Sequence, residues 1–556
     1  MVFGKVEVCC VSSTAAALFG MFAGMRWRRS REEQEKAKVM EIPPPTRAAS
    51  ASRIRRAPSI TGLEFPPSSK DSHYLSAPGE LVDSADMSQS QPMALRNQAG
   101  KTRFTTMKVI FVMVGLPARG KSFISMRMQD FLNWIGLESK IFNVGQHRRQ
   151  AETREQNAKY FDASDTRAKS SRDALAFEVL EELFDWLDAR HQGAAIFDAT
   201  NSTAERRRAV QQRCKDHDPN FSVIFVESFC NDKDVVEANI RLKLTKSPDY
   251  QGVPYEQARA DFMARIKNYE SVYETLDDTG IKENELSYIK LINLSSHLVA
   301  HRVYGLAATA VLPYLMALHV GTRSVWLVRM GRSSDKPCHA ISDPRHQFGD
   351  LPLSDEGEDF TRRVAAHFAN KPDMSAAKLL ICSHRRAKAM AQLIDPEGGR
   401  TSVRAFLNPM DWGVYEGVRR NDFAQQTDPE FYDAFTKDPV NTRFPGGESY
   451  GDFVRRLLPV LVEIEQQVVP CIVIAPLNTL QVLSCYFSRL DLREASEIDF
   501  PQHSLIEWRP HSGRFAKRKL LIDDLPRPPA GDNQPIKKVG LVPSIGSIRY
   551  MKGPSG

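Results

Sequence analysis

A glycine-rich string in the first half of the chain combines residue types that together bind phosphate. It consists of Gly115, Leu116, Pro117, Ala118, Arg119, Gly120, Lys121 and Ser122 and satisfies the pattern G-x-x-x-x-G-K-[ST]. In such a string the glycines permit a tight turn and backbone amides point at phosphate oxygens. The lysine reaches the β- and γ-phosphates, and the hydroxyl can bind Mg²⁺. We therefore predict a nucleotide-binding loop in which Lys121 and Ser122 act on the nucleotide directly.

An acidic residue follows a second apolar segment, in the string Ile196-Phe-Asp198-Ala-Thr200. If that segment is a parallel strand, its carboxyl end lies beside the phosphate loop. An aspartate there can hold Mg²⁺ through water or orient an acceptor hydroxyl. The sequence therefore predicts a magnesium site formed by Ser122 and Asp198.

Arginines recur in the same half of the chain and could form an acceptor site. They are Arg148, Arg149, Arg172, Arg206, Arg207, Arg208 and Arg265. If they converge on one crevice, they would hold a phosphorylated acceptor by bidentate hydrogen bonds. Sequence alone does not establish that convergence, and each of them could equally be a solvated surface residue.

Four apolar segments, at residues 108–114, 194–197, 221–226 and 288–292, would be the strands that position these side chains. A segment that is apolar at every position fits a parallel strand buried on both faces. An amphipathic stretch at 172–189 lies among them. The alternation predicts a doubly wound α/β domain with a mainly parallel sheet.

A second α/β pattern begins near residue 324. Its predicted strands are residues 325–328, 378–382 and 471–475, and its predicted helices are residues 356–369 and 450–467. No internal repeat relates the two halves. The chain therefore carries two different α/β domains.

Length and charge fit this organisation, because 556 residues are too many for a single core. The net charge of +7 is concentrated in the ends of the chain, with +5 in residues 1–103 and +4 in residues 526–556. Because the excess positive charge lies on tails, nothing requires a nucleic-acid partner. The eight scattered cysteines favour a reducing, cytoplasmic location.

The first 103 residues have no sustained apolar period, and we expect them to be a disordered extension. Residues 6–24 are weakly apolar but include Glu7 and small polar residues, so membrane insertion is not expected. Ser59 follows Arg55 and Arg56, a pattern that suits a regulatory protein kinase.

Several strings in the first half resemble one family, taken together and in order. They are GLPARGKS (115–122), FNVGQHRR (142–149), FDATNST (197–203), ERRR (205–208), ESFCND (227–232), SPDY (247–250) and LSYIKL (286–291). The resemblance is to 6-phosphofructo-2-kinase/fructose-2,6-bisphosphatase. It implies transfer of the γ-phosphoryl group of MgATP to O2 of fructose 6-phosphate. The product would be fructose 2,6-bisphosphate, a regulator of glycolysis.

The resemblance also implies roles for individual residues. Asp198 and Cys230 match active-site positions, and Asn239 lies in a segment that contacts ATP. The positions that match fructose 6-phosphate contacts are Arg149, Arg172, Thr200, Arg206, Arg265 and Tyr269. Arg148 joins this predicted acceptor site as a neighbour of Arg149.

One position departs from the family. A lysine that serves both substrates corresponds to Leu244 here, with Lys243 and Lys246 on either side of it. A side chain one position away on a helix points about 100° elsewhere. A non-catalytic, metabolite-binding regulator is therefore an alternative to an active kinase.

The second half resembles the bisphosphatase domain of the same family, a histidine phosphatase, but without the residues for its chemistry. The nucleophilic histidine of the family's Arg-His-Gly motif is replaced in Arg329-Met330-Gly331. The second histidine corresponds to Pro476, the general acid to Pro409, and a phosphate-binding arginine to Ala387. Because a thioether has no basic nitrogen, we expect no phosphoenzyme and an inactive domain.

The resemblance predicts a 6-phosphofructo-2-kinase domain at residues 104–321 and a histidine-phosphatase-like domain at 322–525. Residues 526–556 are Pro-rich without apolar periodicity, and we expect them to be a disordered tail. The second domain would be kept for packing, for dimer contacts or for regulation. Alternatives are a bifunctional enzyme, or a repurposed phosphatase that uses His339, His346 or His384. A homodimer is a further expectation.

Overall fold

The computed structural model describes residues 108–151, 158–162, 165–277, 283–294, 296–334, 350–418, 428–511 and 513–527. All of them belong to one compact unit, residues 106–556. Ser59, the segment 6–24 and most of the expected terminal extensions lie outside the described residues. No helix in the described part of the chain is both long enough and apolar enough to span a membrane.

The first sheet has six strands in the order β2-β3-β1-β4-β5-β6. The strands are β1 (Lys108–Val114), β2 (Ser139–Asn143), β3 (Gly193–Asp198), β4 (Ser222–Phe229), β5 (Ser287–Ile292) and β6 (His297–His301). All are parallel except β6, which runs antiparallel to β5 at the edge. The predicted parallel α/β architecture is confirmed.

Seven helices among the described residues belong to this half. They are α1 (Lys121–Trp134), α2 (Val144–Ala151), α3 (Thr166–Asp188), α4 (Ala204–His217), α5 (Lys233–Lys246), α6 (Tyr255–Glu270) and α7 (Leu306–Ala317). Strand β1 explains why helices cover both faces. Its residues Ile110, Val112 and Val114 pack in one apolar cluster, while Phe111 and Met113 pack in another.

The second sheet also has six strands, in the order β12-β11-β7-β10-β8-β9. The strands are β7 (Val325–Arg329), β8 (Lys378–Ile381), β9 (Thr401–Val403), β10 (Cys471–Ala475), β11 (Ser504–His511) and β12 (Arg514–Leu521). The helices described in this half are α8 (Asp355–Ala369), α9 (Arg385–Ile394), α10 (Pro429–Lys437), α11 (Tyr450–Gln466) and α12 (Leu477–Ser488). Strands β7 to β10 are parallel, and β11 adds an antiparallel pair at one side.

The two halves share a continuous core, in which residues of β1 and β7 belong to the same apolar cluster. A buried polar network crosses the contact. Arg127 Nη2 on α1 lies 2.8 Å from Glu465 Oε1 on α11 and donates to Tyr486 OH on α12 at 2.8 Å. Tyr486 OH also donates to Glu465 Oε1 at 2.9 Å. The helix that follows the phosphate loop is thus held by two helices of the second half.

Candidate functional site

Three neighbouring parallel strands end at the candidate site. Strand β3 ends at Asp198, β1 leads into the glycine-rich loop, and Cys230 directly follows β4. Because β1 lies between β3 and β4 in the sheet, these three chain segments meet at one edge. The half-buried Cys230 thiol has a carbonyl, Asp232 O, 4.0 Å away.

The loop requires unusual backbone conformations at its two glycines. Gly115 has φ of 136° and Gly120 has φ of 89°. A Cβ atom at Gly115 would lie 2.6 Å from Ser228 O, so a larger residue does not fit without a backbone shift. The amide of Gly115 donates to Thr200 O at 2.9 Å, and this bond joins the loop to the end of β3.

Lys121 is buried at the start of α1 and donates from Nζ to Leu116 O at 2.8 Å. Desolvation lowers the pKa of Lys121 to about 7. Asp198 opposes this shift, whereas the nearby charges of Lys243, Arg265 and Arg119 add to it. The ammonium group is therefore mainly desolvated, and an anionic ligand would favour its charged form.

Ser122 and Asp198, the two residues predicted to hold Mg²⁺, are in direct contact. Ser122 Oγ donates to Asp198 Oδ2 at 2.9 Å, and Asn143 Nδ2 donates to the same oxygen at 2.5 Å. Oxygen ligands of this kind suit Mg²⁺, which usually takes one or two from the protein and others from phosphate and water. The described residues hold no group of three or more histidine, cysteine, aspartate or glutamate ligands.

Helices α5 and α6 flank the loop on its other side. Asn239 Nδ2 donates to Ala118 O at 3.1 Å, and Arg119 Nη2 lies 3.3 Å from Glu270 Oε1. A cavity of about 460 Å³ opens here, lined by Arg119, the apolar side chains of Val236 and Ile240, and residues of α6. Its walls are mainly apolar and its rim is charged.

Asp249 gathers three of the predicted arginines. Arg148, Arg265 and Arg149 approach Asp249 Oδ2 to 2.6, 3.4 and 4.0 Å. Burial alone would raise the pKa of Asp249, but the three guanidinium groups outweigh it and hold the pKa below its usual value. One carboxylate cannot satisfy all three, and Arg148 Nε, Arg148 Nη1 and Arg265 Nε are buried without a hydrogen-bond partner among the described residues.

Aromatic rings connect this cluster with other predicted site residues. The guanidinium groups of Arg265 and Arg148 lie 3.8 and 5.1 Å from the ring centre of Phe161, and Tyr269 packs on the same ring at 5.8 Å. Arg172 donates to Tyr160 O and lies over the Tyr160 ring. The predicted acceptor residues of α2, α3 and α6 thus lie around the pair Tyr160–Phe161.

The three consecutive arginines of α4 have different environments. Arg206 Nη1 lies 3.0 Å from Asp173 Oδ1, and Asp173 directly follows Arg172 in the chain. Arg207 is fully buried in an ion pair with Glu283 at 2.9 Å, and Arg208 is exposed. Of these three arginines, only Arg206 pairs with a residue adjacent in the chain to another predicted acceptor residue.

The structure explains the departure at Leu244. Leu244 is buried on α5 and packs in a small apolar cluster with Tyr250 and Phe262. Lys243, by contrast, is exposed to solvent on the side of α5 that faces Asp198 and Asp249. Partial desolvation and the charges of Arg149 and Arg265 lower the pKa of Lys243, and the two aspartates only partly oppose this shift. A lysine is therefore present at the site, one position earlier in the chain.

The corresponding edge of the second sheet holds the predicted phosphatase positions. Met330 is buried, with its Sδ 3.5 Å from Cys382 Sγ. Pro476 is buried at the first position before α12, and Pro409 O accepts from Arg456 Nη2 at 2.9 Å. Neither the thioether of Met330 nor the rings of Pro476 and Pro409 can act as a nucleophile or as a proton donor. His339 and His346 lie outside the described residues.

The position that corresponds to a phosphate-binding arginine resembles that of Leu244: the expected side chain is found one residue earlier in the chain. Ala387 is fully buried in the core. Arg386, one position earlier, donates from Nη1 to Gly331 O at 3.0 Å. A guanidinium group therefore reaches the loop of Met330 after all.

Four residues at these sites were missed or undervalued by sequence reasoning: Asn143, Asp249, Lys243 and Arg386. Asn143 and Asp249 do lie within strings that the resemblance includes, 142–149 and 247–250. The side on which Lys243 and Arg386 point depends on helix rotation, and only the burial of their neighbours Leu244 and Ala387 reveals it.

Comparison with known proteins agrees with these observations. The model of the 6-phosphofructo-2-kinase family matches residues 96–322, and that of the histidine phosphatase superfamily (branch 1) matches residues 325–523. Among solved structures, the α-ribazole phosphatase from Shigella flexneri matches with a TM-score of 0.29 and 17% identity, over 35% of this chain and 95% of that chain.

Curated relatives extend over both halves. The 6-phosphofructo-2-kinase/fructose-2,6-bisphosphatase of Caenorhabditis elegans is 34% identical over 409 residues, which is 72% of this chain and 86% of the relative. The 6-phosphofructo-2-kinase/fructose-2,6-bisphosphatase 1 of Rattus norvegicus is 33% identical over 423 residues, or 76% and 86% of the two chains. The chain therefore belongs to the 6-phosphofructo-2-kinase/fructose-2,6-bisphosphatase family.

Proposed function

We propose that the chain transfers the γ-phosphoryl group of MgATP to O2 of fructose 6-phosphate, and that its phosphatase-like domain does not hydrolyse the product. The observation that carries the kinase assignment is the excess of cations beside the phosphate loop. Arg148, Arg149 and Arg265 share the single carboxylate of Asp249. Such a cluster suits a phosphorylated acceptor next to the nucleotide.

The residues of the loop would bind the nucleotide. Backbone amides of the loop and Lys121 would hold the β- and γ-phosphates, and the apolar cavity beside Arg119 would receive the base. Ser122 and Asp198 would hold Mg²⁺, which supplies positive charge to the phosphate oxygens when it is bound with ATP. Asn239 would keep the loop in place through its bond to Ala118 O.

The acceptor sugar would lie between Asp198 and the arginine cluster. Arg148, Arg149 and Arg265 would bind its 6-phosphate, and Arg172, Arg206, Thr200 and Tyr269 would surround the sugar. Asp198 would orient the O2 hydroxyl and accept its proton as O2 bonds to the γ-phosphorus, while the bond from that phosphorus to the bridging oxygen breaks and ADP leaves. Cys230 would line the edge of the site beside the loop. Catalysis then rests mainly on positioning and on stabilisation of phosphate charge.

A direct assay tests the kinase assignment. Purified full-length protein with MgATP and fructose 6-phosphate should form acid-labile fructose 2,6-bisphosphate. Lys121→Met should reduce the rate strongly, because the phosphates lose their buried cation. No product at saturating substrate concentrations would eliminate the kinase and leave the alternative of a non-catalytic, metabolite-binding regulator.

The proposed loss of phosphatase activity rests on Met330 together with Pro476 and Pro409. Incubation with fructose 2,6-bisphosphate labelled at the 2-phosphate should release no phosphate and should label no histidine. We expect Met330→His alone to remain inactive, because the leaving oxygen still has no proton donor. Release of phosphate by the wild-type chain would instead indicate a bifunctional enzyme.

Further expectations accompany this proposal. The domain bounds 104–321 and 322–525, a cytoplasmic location and a homodimer remain predictions. Phosphorylation of Ser59 by a regulatory protein kinase also remains a prediction, since Ser59 lies outside the described residues.

A further inference from the structure

The turn that follows β3 carries two predicted residues of the kinase site, Asp198 and Thr200. Its next residue, Asn201, is buried and has φ of 41°, a left-handed conformation that is uncommon for residues other than glycine. Asn201 Oδ1 is also buried and has no hydrogen-bond partner among the described residues. Unfavourable conformations of this kind persist only where the surrounding contacts enforce them, and they cluster at functional sites. The contacts that enforce this one therefore bear on the function of the turn.

Two hydrogen bonds join the turn to β1 and to the phosphate loop. Asn201 Nδ2 donates to Met113 O in β1 at 2.8 Å. The amide of Gly115, at the start of the loop, donates to Thr200 O at 2.9 Å. Because Asp198 lies two residues before Thr200, these bonds restrict where its carboxylate can lie relative to the loop.

Arg207 holds the same turn from α4. It is fully buried, and its Nε and Nη2 donate to the two carboxylate oxygens of Glu283, each at 2.9 Å. A bidentate pair of this kind fixes the plane of the guanidinium group. The remaining nitrogen, Nη1, donates to Asn201 O at 3.2 Å and to Glu274 O at 2.8 Å. One side chain thus joins three segments of the chain.

Glu274 lies in the segment 271–277, which follows α6 directly. Its amide donates to Ser202 O at 2.8 Å, and its carboxylate oxygen Oε2 accepts from the amide of Ala204 at 2.6 Å. Backbone and side chain of Glu274 therefore both hold the stretch between the turn and α4.

The segment 271–277 is in turn anchored to β4 by Glu227, which is fully buried. Glu227 accepts hydrogen bonds from Tyr273 OH, from Thr275 Oγ1 at 2.8 Å and from the amide of Leu276 at 3.1 Å. Helix α6, which precedes this segment, carries Arg265 of the predicted acceptor site. The turn after β3 and the helix of the acceptor site are therefore joined by one hydrogen-bonded network.

We propose that Asn201 and Arg207 are positioning residues of the phosphoryl transfer reaction, which fix the turn after β3, and with it the carboxylate of Asp198, without contact with either substrate. Phosphoryl transfer depends mainly on alignment of its reactants, and a displacement of about 1 Å can cost about a hundredfold in rate. The inference rests on the proposed kinase reaction, in which Asp198 accepts the proton of the acceptor hydroxyl.

The double variant Arg207→Met/Glu283→Met tests the role of Arg207, because it removes the ion pair as a whole and leaves no buried charge unpaired. Replacement of a buried ion pair by apolar residues of similar size is often neutral for stability. In the full-length protein kcat should fall by about tenfold to a hundredfold. A non-hydrolysable ATP analogue should still bind to every chain, with its dissociation constant changed by less than about threefold.

This division between kcat and binding separates positioning from a purely structural role. Partial unfolding would lower the number of sites that bind the analogue and leave kcat per binding site unchanged. Calorimetry gives the number of sites and the dissociation constant, and steady-state kinetics give kcat.

Asn201→Gly tests the turn itself and decides the matter if the double variant does not fold. Glycine adopts φ of 41° without steric cost, so the backbone conformation stays favourable while the bond to Met113 O is lost. We expect kcat to fall by about threefold to tenfold, as for the loss of one neutral hydrogen bond, with binding of the analogue unchanged.

Arg213→Met/Glu181→Met is the matched control, because it removes an exposed ion pair of 2.7 Å from the same helix α4. Its kinetics should be those of the wild type. Wild-type kcat in both test variants would overturn the inference, as would a loss of rate that fewer binding sites explain entirely. A wild-type chain that makes no fructose 2,6-bisphosphate would instead overturn the proposed function, which is a different result from active variants of an active wild type.

Discussion

Lys121 is buried, and its surroundings favour the neutral amine over the charged ammonium form. Desolvation is the main cause, and the cations Lys243, Arg265 and Arg119 add to it. Nucleotide phosphates would reverse this balance, because they favour the ammonium form. The protonation of one residue should therefore be coupled to nucleotide binding.

The expected result is a nucleotide affinity that falls as the pH rises above 7. In the free protein the pKa of Lys121 is about 7, so above that pH the amine is mainly neutral. Bound phosphates raise this pKa, and binding then requires uptake of a proton. Below pH 7 the amine is already charged and no uptake is needed. The affinity should decrease by up to about tenfold per pH unit above pH 7.

Titration with a non-hydrolysable ATP analogue between pH 6 and 8.5 measures this effect, in two buffers of different ionisation enthalpy. The difference in heat between the buffers gives the number of protons taken up. In Lys121→Met both the proton uptake and the slope should disappear. The same slope in that variant would assign the pH dependence to another group.

Helix α5 shows how a rotation of about 100°, one residue along the helix, decides which side chain faces the site. Leu244 faces α6 and fills an apolar cluster, whereas Lys243 lies about 100° away around the helix axis. The charges of Asp198, Asp249, Arg149 and Arg265 all act on Lys243. The helix thus keeps a lysine at the site although the expected position holds a leucine.

Lys243→Met should therefore lower kcat/KM of the kinase reaction by about tenfold to a hundredfold. A hydrogen bond to a charged group contributes roughly 1.5–3 kcal/mol, which corresponds to this range. Because Lys243 is exposed, the free energy of unfolding should change little. Steady-state kinetics with each substrate varied in turn would give the loss.

Lys246→Met provides the matched control, since Lys246 is an exposed lysine in the last turn of the same helix. Its kinetics should resemble those of the wild type. Equal losses in both variants would argue for a general effect of charge and against a specific role of Lys243.

At the scale of the whole molecule, the second half supports α1, the helix that follows the proposed nucleotide-binding loop. Glu465 is buried between Arg127 of α1 and Arg323, at 2.8 and 3.5 Å. Burial would raise the pKa of Glu465, but these two arginines outweigh it and keep the carboxylate charged. Trp134 Nε1 at the end of α1 donates to Val482 O on α12 at 2.9 Å.

Glu465→Gln should destabilise the protein by about 3–5 kcal/mol, because two buried guanidinium groups lose their counter-charge. Urea denaturation followed by tryptophan fluorescence would measure the change. Glu181→Gln is the control, since Glu181 forms an exposed pair with Arg213 at 2.7 Å and should cost less than about 1 kcal/mol. A small effect for Glu465→Gln would mean that water or rearranged side chains replace the carboxylate.

The chain's own pattern predicted much of this molecule. The parallel central strands of both sheets were predictable because they are almost entirely apolar, as buried parallel strands are, whereas the antiparallel β11 was not predicted. The edge strands β2, β6, β9 and β12 were not, because a strand with one covered side or few residues lacks that signature. The loop with Lys121 and Ser122, and its partner Asp198, were predictable from spacing alone.

The remaining site residues depend on the rotation of helices and on contacts distant in the chain. Arg207 and Arg206 are neighbours in sequence, yet one is in an interior ion pair and the other lies at the site. Arg127 gives no local sign that its partner is Glu465, 338 positions later. Such pairings arise from tertiary packing, which periodicity cannot reveal.

The contact of α1 with α11 and α12 has a consequence for how this chain can change over generations. If the phosphatase-like domain does not hydrolyse the product, as we propose, selection for phosphoryl transfer does not constrain the loop around Met330. The surface that carries Glu465, Val482 and Tyr486 is constrained, since it holds the first helix after the phosphate loop. Selection for the kinase reaction should therefore preserve the side of the second domain that contacts α1 more strongly than the edge that carries Met330.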